Sequence, residues 1–149
     1  VTTFTRDLLS GLAMLLAEAG VGEWNPTGVY DGTRTALTIG GLPASPDTAI
    51  ALAIYGVGRA GDDAAQTDAS VQVQFRVRGK ADPRVVDDLA DLVFDALHGL
   101  SDRVLPTGVL VLLSQRRIVA PLDRDSNGRW ERADCYELLV DRPSPYRIG

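Results

Sequence analysis

The sequence predicts an α+β fold: an antiparallel or mixed sheet of four to five strands with two helices packed on one face. Three observations carry this. Ser70–Arg78 alternates, with Val71, Val73, Phe75 and Val77 on one side and Gln72, Gln74, Arg76 and Arg78 on the other, the period of a strand with one buried and one polar, exposed face. Immediately afterwards, Val85, Val86, Leu89, Leu92, Val93, Ala96 and Leu97 recur at three- and four-residue spacing, the signature of an amphipathic helix. Finally, hairpin-length gaps separate several strand-like runs, which places neighbours antiparallel in one sheet.

The elements follow in order. Phe4, Leu8, Leu12, Leu15, Leu16 and Ala19 mark a first helix from about Thr5 to Gly20. Val21–Thr35 is turn-rich, broken by Asn25-Pro26 and Asp31-Gly32, with Trp24 and Tyr30 expected to cover one end of the core. A short strand, Thr35–Ile39, ends at Gly40-Gly41, and the rigid turn GLPASPD leads to a longer strand, Thr48–Tyr55. On that strand Ile50, Leu52 and Ile54 share one face and three alanines the other, small enough for close packing within the chain or against a neighbouring subunit. Gly56–Ala69 is polar and rich in Gly and Ala, either a hairpin tip or an arm that orders on another subunit. After the Ser70–Arg78 strand, Asp82 is placed to cap the second helix, Pro83 occupies its first position, and Gly99 ends it. Two strands, Val109–Ala120 and Ala133–Asp141, flank the turn DRDSNGR, and residues 142–149 (RPSPYRIG) are expected to be extended.

Bulk properties narrow the function. At 149 residues the chain is read as a single domain, residues 1–149, able to bury roughly 68% of its unfolded surface. Its 45% hydrophobic and 23% charged residues are ordinary for a soluble protein, and no apolar run reaches the ~20 residues that span a bilayer. An early acid and no basic leader argue against a signal peptide. The single cysteine, Cys135, excludes an internal disulfide and fits a reducing compartment, and Asp134 and Glu137 beside it oppose thiolate formation. A net charge of −5 argues against broad adhesion to nucleic acid.

No constellation carries catalysis. Asp123, Asp125, Asn127 and Gly128 match the first half of a calcium-binding EF-hand loop, but the twelfth position is Asp134 rather than Glu, and the flanks read as strands. Asn127-Gly128 is independently a strong hairpin signal. Asp87, Asp88, Asp91 and Asp95 form an acidic stripe opposite the apolar helix face, with Arg84 and Asp88 spaced as an i,i+4 pair. His98, the only histidine, sits where it would contact the helix dipole, and no G-x-S-x-G elbow accompanies it. Arg116, Arg117, Arg124, Arg129 and Arg132 gather near the last hairpin with Asp123, Asp125 and Glu131 to pair them, or as a docking surface anchored by Trp130. Neither a phosphate loop nor a dinucleotide fingerprint is present.

The order of segments is nonetheless specific. A strand ending Q-x-R-x-R-G, then D-x-R-x-V-D-D-L-A-D-x-V-F-D-A-L-H-G-L, a long strand, D-x-N-G-R-W-E-R and a final strand resemble a family of bacteriophage minor capsid proteins, the tail terminators of long-tailed phages. GGLPASPD before the Thr48–Tyr55 strand fits as well, so the resemblance covers most of residues 4–147. It implies a tail-terminator-like structural virion protein with no catalytic residues, cofactor or metal, assembled in the host cytoplasm. Its subunits would form a hexameric ring that caps the tail tube protein, ends polymerisation and joins the head–tail connector or stopper protein. Double-stranded DNA would pass through without sequence-specific binding, and no membrane is involved. The residues expected at interfaces are Gln74, Arg76 and Arg78 on the exposed strand face, Asp88, Asp91 and Asp95 on the helix, and Arg129 with Trp130 at the hairpin. The alternatives are a head-completion or connector protein of the phage neck, a calcium-binding module at residues 123–128, and a small hydrolase built around His98.

Overall fold

The computed structural model describes residues 3–56 and 67–146. Helix α1 (Phe4–Glu18) is followed by strands β1 (Glu23–Trp24), β2 (Ala36–Ile39), β3 (Ala49–Ile54) and β4 (Asp68–Arg78). Helix α2 (Pro83–Leu97), β5 (Ser101–Val104), β6 (Leu110–Val119), β7 (Asp123–Arg124) and β8 (Trp130–Asp141) complete the fold. The eight strands form one sheet in the order β1-β2-β3-β4-β8-β6-β5, with β7 paired to β8. β1, β2 and β3 run parallel to one another, whereas the pairings of β3 with β4, β4 with β8, β8 with β6 and β7, and β6 with β5 are antiparallel.

The α+β class and the mixed sheet therefore hold, but eight strands replace the expected four to five. The additional strands are β1 and β7, each two residues long, and β5, whose four residues are all exposed. Elements that short or that uniformly exposed have no apolar period to detect. The expected arm falls mainly on residues 57–66, outside the described residues.

Alternation on β4 decides the layering. Val73, Phe75 and Val77 are fully buried and face the helices, as do Tyr136, Leu138 and Val140 on β8. Phe75 and Tyr136 meet edge to face at 5.2 Å between ring centres, a favoured aromatic geometry. Leu8, Leu12 and Leu16 of α1 and Val86, Val93 and Leu97 of α2 close the same core from above. Asp82 caps α2 by accepting from Arg84 N at 3.0 Å, Pro83 opens it, and Gly99 (φ 81°) follows its last turn, all as the sequence requires.

The parallel β1–β2–β3 segment is joined by loops instead of helices, and side chains from elsewhere hold them. Tyr30 Oη donates to Leu37 O, tying the β1–β2 loop to β2. Within α1, Gly11 lies where the β5–β6 turn crosses: a Cβ there would stand 2.9 Å from Leu105 Cβ and also strike Thr107 Oγ1. Thr107 Oγ1 itself donates to Asp7 O, fastening that turn to the helix.

Candidate interaction surface

The residues singled out on β4 do not behave alike. Arg76 is exposed and its Nη1 lies 3.3 Å from Glu131 Oε1, a pair on a sheet face open to solvent. Gln74 is half-buried beside Cys135, whose thiol is pushed up by burial and drawn partly back by the Gln74 hydrogen bond. Arg78 is not on an exposed face: it is 3% exposed. Its Nε donates to Asp47 O and its Nη2 to Pro46 O, both at 2.7 Å. Alternation placed Arg78 on the correct side of the strand, but the β2–β3 loop folds over that end of the sheet and covers it. Burial, then the nearby Arg129, lower its pKa from the ordinary guanidinium value, with Asp125, Glu131 and Asp47 opposing.

The hairpin residues are drawn into the same structure. Arg129 Nε lies 2.7 Å from Asp125 Oδ2, and its Nη1 reaches Ala44 O at 2.9 Å and Asp47 Oδ1 at 3.3 Å. Trp130 Nε1 donates to Ala81 O at 2.9 Å, with the Arg124 guanidinium 5.0 Å over its ring. Arg78 thus ties the GLPASPD loop to the end of β4, while Arg129 and Trp130 bind that loop and the turn into α2 to the β7–β8 hairpin. Open polar clefts of about 330 and 510 Å³ flank this junction, the first beside Arg34 and Ser45, the second beside Ala81 and Asn127, with Asp47 and Lys80 common to both.

The half-loop resembling an EF-hand is a hairpin. Asp125 Oδ1 accepts from Asn127 N and Arg129 N at 2.9 Å each, and Gly128 adopts a positive φ of 74°. Burial raises the Asp125 pKa, but these amides and the Arg129 side chain outweigh it and leave the carboxyl below its usual range. Its oxygens serve the turn, and among the described residues no group of three or more His, Cys, Asp or Glu side chains is placed to hold a metal.

On α2, Asp88, Asp91 and Asp95 are exposed, while Asp87 leaves the stripe to pair with Arg132 at 2.9 Å. Arg84 pairs with the capping Asp82 at 2.9 Å rather than with Asp88. Between α2 and the sheet lies a cluster the sequence did not reveal. Asp134, 1% exposed, accepts from Arg132 Nε at 2.8 Å and Nη2 at 3.0 Å, with Arg116 Nη1 at 3.5 Å. The Arg116 guanidinium lies 4.2 Å over Phe94, and Phe94 stacks on His98. His98 Nδ1 accepts from Arg116 N at 3.1 Å, so the lone histidine joins the end of α2 to β6. Arg132 and Asp134 stand two residues apart on β8 and so share a face, whereas the approach of Arg116 depends on the β6–β8 register, which residue spacing does not show.

These side chains lock loops to a sheet and leave open polar clefts at its hairpin end. The family model for bacteriophage tail terminator proteins matches residues 15–142, from within α1 to just beyond β8. The chain belongs to the bacteriophage tail terminator family and is a structural component of the virion. A solved structure titled "Virion of native gene transfer agent (GTA) particle" contains a similar chain, with a TM-score of 0.51 and 19% identity over 87% of this chain and 84% of that one. That likeness supports the fold. No curated protein matches the sequence significantly. No helix among the described residues is long and apolar enough to cross a membrane.

Proposed function

We propose that the protein forms a closed ring, a hexamer, at the head-proximal end of the tail tube. There it ends tube polymerisation and presents a surface to the head–tail connector or stopper protein. The observation that carries this is the extent of the family match, which takes in the sheet and α2 entire rather than one motif. The physical design supports it. A closed ring of identical subunits needs two different patches per subunit that meet head to tail. Gln74 and Arg76 on the open sheet face and Asp88, Asp91 and Asp95 on α2 lie on different sides of the subunit and are proposed as such contacts. Arg78, Arg129 and Trp130 act one step back, by fixing the loop and hairpin beside which a partner docks. The protein acts by binding rather than by catalysis, and assembles in the host cytoplasm before the genome passes through the ring.

Particles assembled without this protein test the reading. Overlong tails establish termination, whereas normal-length tails on sealed heads refute it. Tailless, leaking heads would assign the protein to head completion instead.

A further inference from the structure

Helix α2 carries a charged face that meets no opposite charge within its own chain. Asp88, Asp91, Leu92 and Asp95 stand at i, i+3, i+4 and i+7, a single stripe ~10 Å long at 1.5 Å per residue. The three carboxylates are exposed, and none has an ion pair among the described residues. Leu92, 47% exposed, stands among them, so the stripe has an apolar centre and an acidic rim.

The matching charge lies at the hairpin end of the subunit. Arg34 and Lys80 line the cleft of about 330 Å³ with Thr35 and Ser45, and Lys80 also lines the adjoining cleft of about 510 Å³ beside Ala44 and Ala81. Both cations are exposed and neither has an ion pair among the described residues, although Arg34 acts on Asp31 through space. Asp47, the acid common to both clefts, is already met by Arg129 at 3.3 Å. Arg78, buried and bonded to Pro46 O and Asp47 O, adds positive charge behind the lining. Arg76, by contrast, is met by Glu131 at 3.3 Å, which leaves Arg34 and Lys80 as the cations awaiting a partner here.

Stripe and clefts do not meet within one subunit. Lys80 stands just before α2, and the helix carries Asp91 about 12 Å and Asp95 about 18 Å along its axis from Pro83, away from Lys80. We propose that the Asp88–Asp91–Asp95 stripe of one copy docks at the Arg34–Lys80 clefts of the next. This rests on the ring reading and deepens it: the two patches differ, so the contact is head to tail and repeats around a closed ring. A second copy is favoured over DNA. Two cations make a short patch for a polyanion, the chain's net charge is −5, and DNA would leave the carboxylate stripe unmatched.

The test is charge reversal in the full chain, with assembly read by light scattering in solution and on tail tubes. Arg34→Glu with Lys80→Glu, and separately Asp91→Lys with Asp95→Lys, set like charges together at every contact. Each pair is expected to weaken assembly at least about tenfold. A chain carrying all four substitutions restores opposite charges with their signs exchanged, and is expected to regain most of the loss. If the fourfold variant is weaker than either pair, the proposal is overturned. Should a reversed pair lose its circular-dichroism signal, Arg34→Gln with Lys80→Gln and Asp91→Asn with Asp95→Asn replace it; all four together should then weaken assembly no more than either pair, and additive losses overturn the proposal. If either reversed pair assembles like the parent, the docking inference fails while the ring reading stands. Normal assembly with lost affinity for duplex DNA in the Arg34–Lys80 pair assigns the clefts to phosphate and likewise overturns it. If the parent forms no oligomer even on tail tubes, the ring reading fails and this inference falls with it.

Discussion

Replacing Arg78 with Met tests whether a buried cation holds the loop that shapes the hairpin end of the subunit. Its guanidinium has no carboxylate within ion-pair distance among the described residues, and its printed hydrogen bonds go to two main-chain carbonyls, Pro46 O and Asp47 O, at 2.7 Å. Hydrogen bonds from a charged donor contribute ~1.5–3 kcal/mol each. Removing the charge also removes the cost of burying it, several kcal/mol for an ion taken from water, which offsets part of that loss. Methionine fills a similar volume but leaves both carbonyls without their donor. The net expectation is a loss of roughly 2–3 kcal/mol, or about 5–10 °C in Tm for a chain of this size. Arg76→Met is the control, because Arg76 lies two residues away with an exposed pair to Glu131 at 3.3 Å, worth about 0–1 kcal/mol. Urea unfolding of both variants, read as a change in midpoint at constant slope, makes the comparison. If Arg78→Met costs no more than Arg76→Met, Arg78 does not hold the loop and the reasoning is wrong.

Asp134→Asn is expected to destabilise by about 2–4 kcal/mol, since it leaves Arg132 and Arg116 facing a neutral group in a buried site; thermal unfolding measures it. Gly11→Ala should lower Tm despite alanine's better helix propensity, worth only about 1 kcal/mol, because the added methyl meets Leu105 Cβ near its backbone; calorimetry gives the sign. Asp82 and Asp31 are held below the usual carboxylate range, the first chiefly by the Arg84 side chain, the second chiefly by the Thr33 amide. A depressed carboxyl contributes stability that is present above the unfolded value of about 3.9 and lost as pH falls through the folded value. Acid titration of the urea midpoint should therefore show a decline beginning near pH 4–5 that is shallower in Asp82→Asn. Neutralising Asp88, Asp91 and Asp95 together should leave subunit stability within about 0.5 kcal/mol, while changing the salt dependence of assembly measured by light scattering.

The long elements were legible because each buries one face. Ser70–Arg78 and the second helix carry enough apolar repeats for period alone to set their orientation, the last strand was legible as Ala133–Asp141, short of its observed start at Trp130, and Asp82-Pro83 and Gly99 bounded α2 through local chemistry. β5 was invisible because its residues, Ser101–Val104, are exposed and pair only at a sheet edge. The candidate surface was legible in part. Period placed Gln74 and Arg76 outward, and helical spacing placed Asp88, Asp91 and Asp95 in solvent. It could not reveal that Arg78 and Arg129 reach more than 30 residues away along the chain to the 44–47 loop, or that Asp87 turns to Arg132. Such contacts depend on sheet register and loop path, and a single sequence carries no record of either.

The same contacts bear on how the subunit would meet DNA. Adhesion to a duplex needs free cations, each releasing a counterion when it meets a phosphate. Arg129 and Arg132 are held by carboxylates at 2.7–2.9 Å, and Arg78 is buried against carbonyls. Any of them would have to break an internal bond to contact phosphate. Asp88, Asp91 and Asp95 are left in solvent on α2, the exposed Arg84 there is paired with Asp82 at 2.9 Å, and the whole chain carries a net charge of −5. Arg78, Arg129 and Arg132, which look basic in the sequence, thus serve as internal ties. Tying these three cations inward stabilises the subunit and withdraws them from the surface a polyanion would meet.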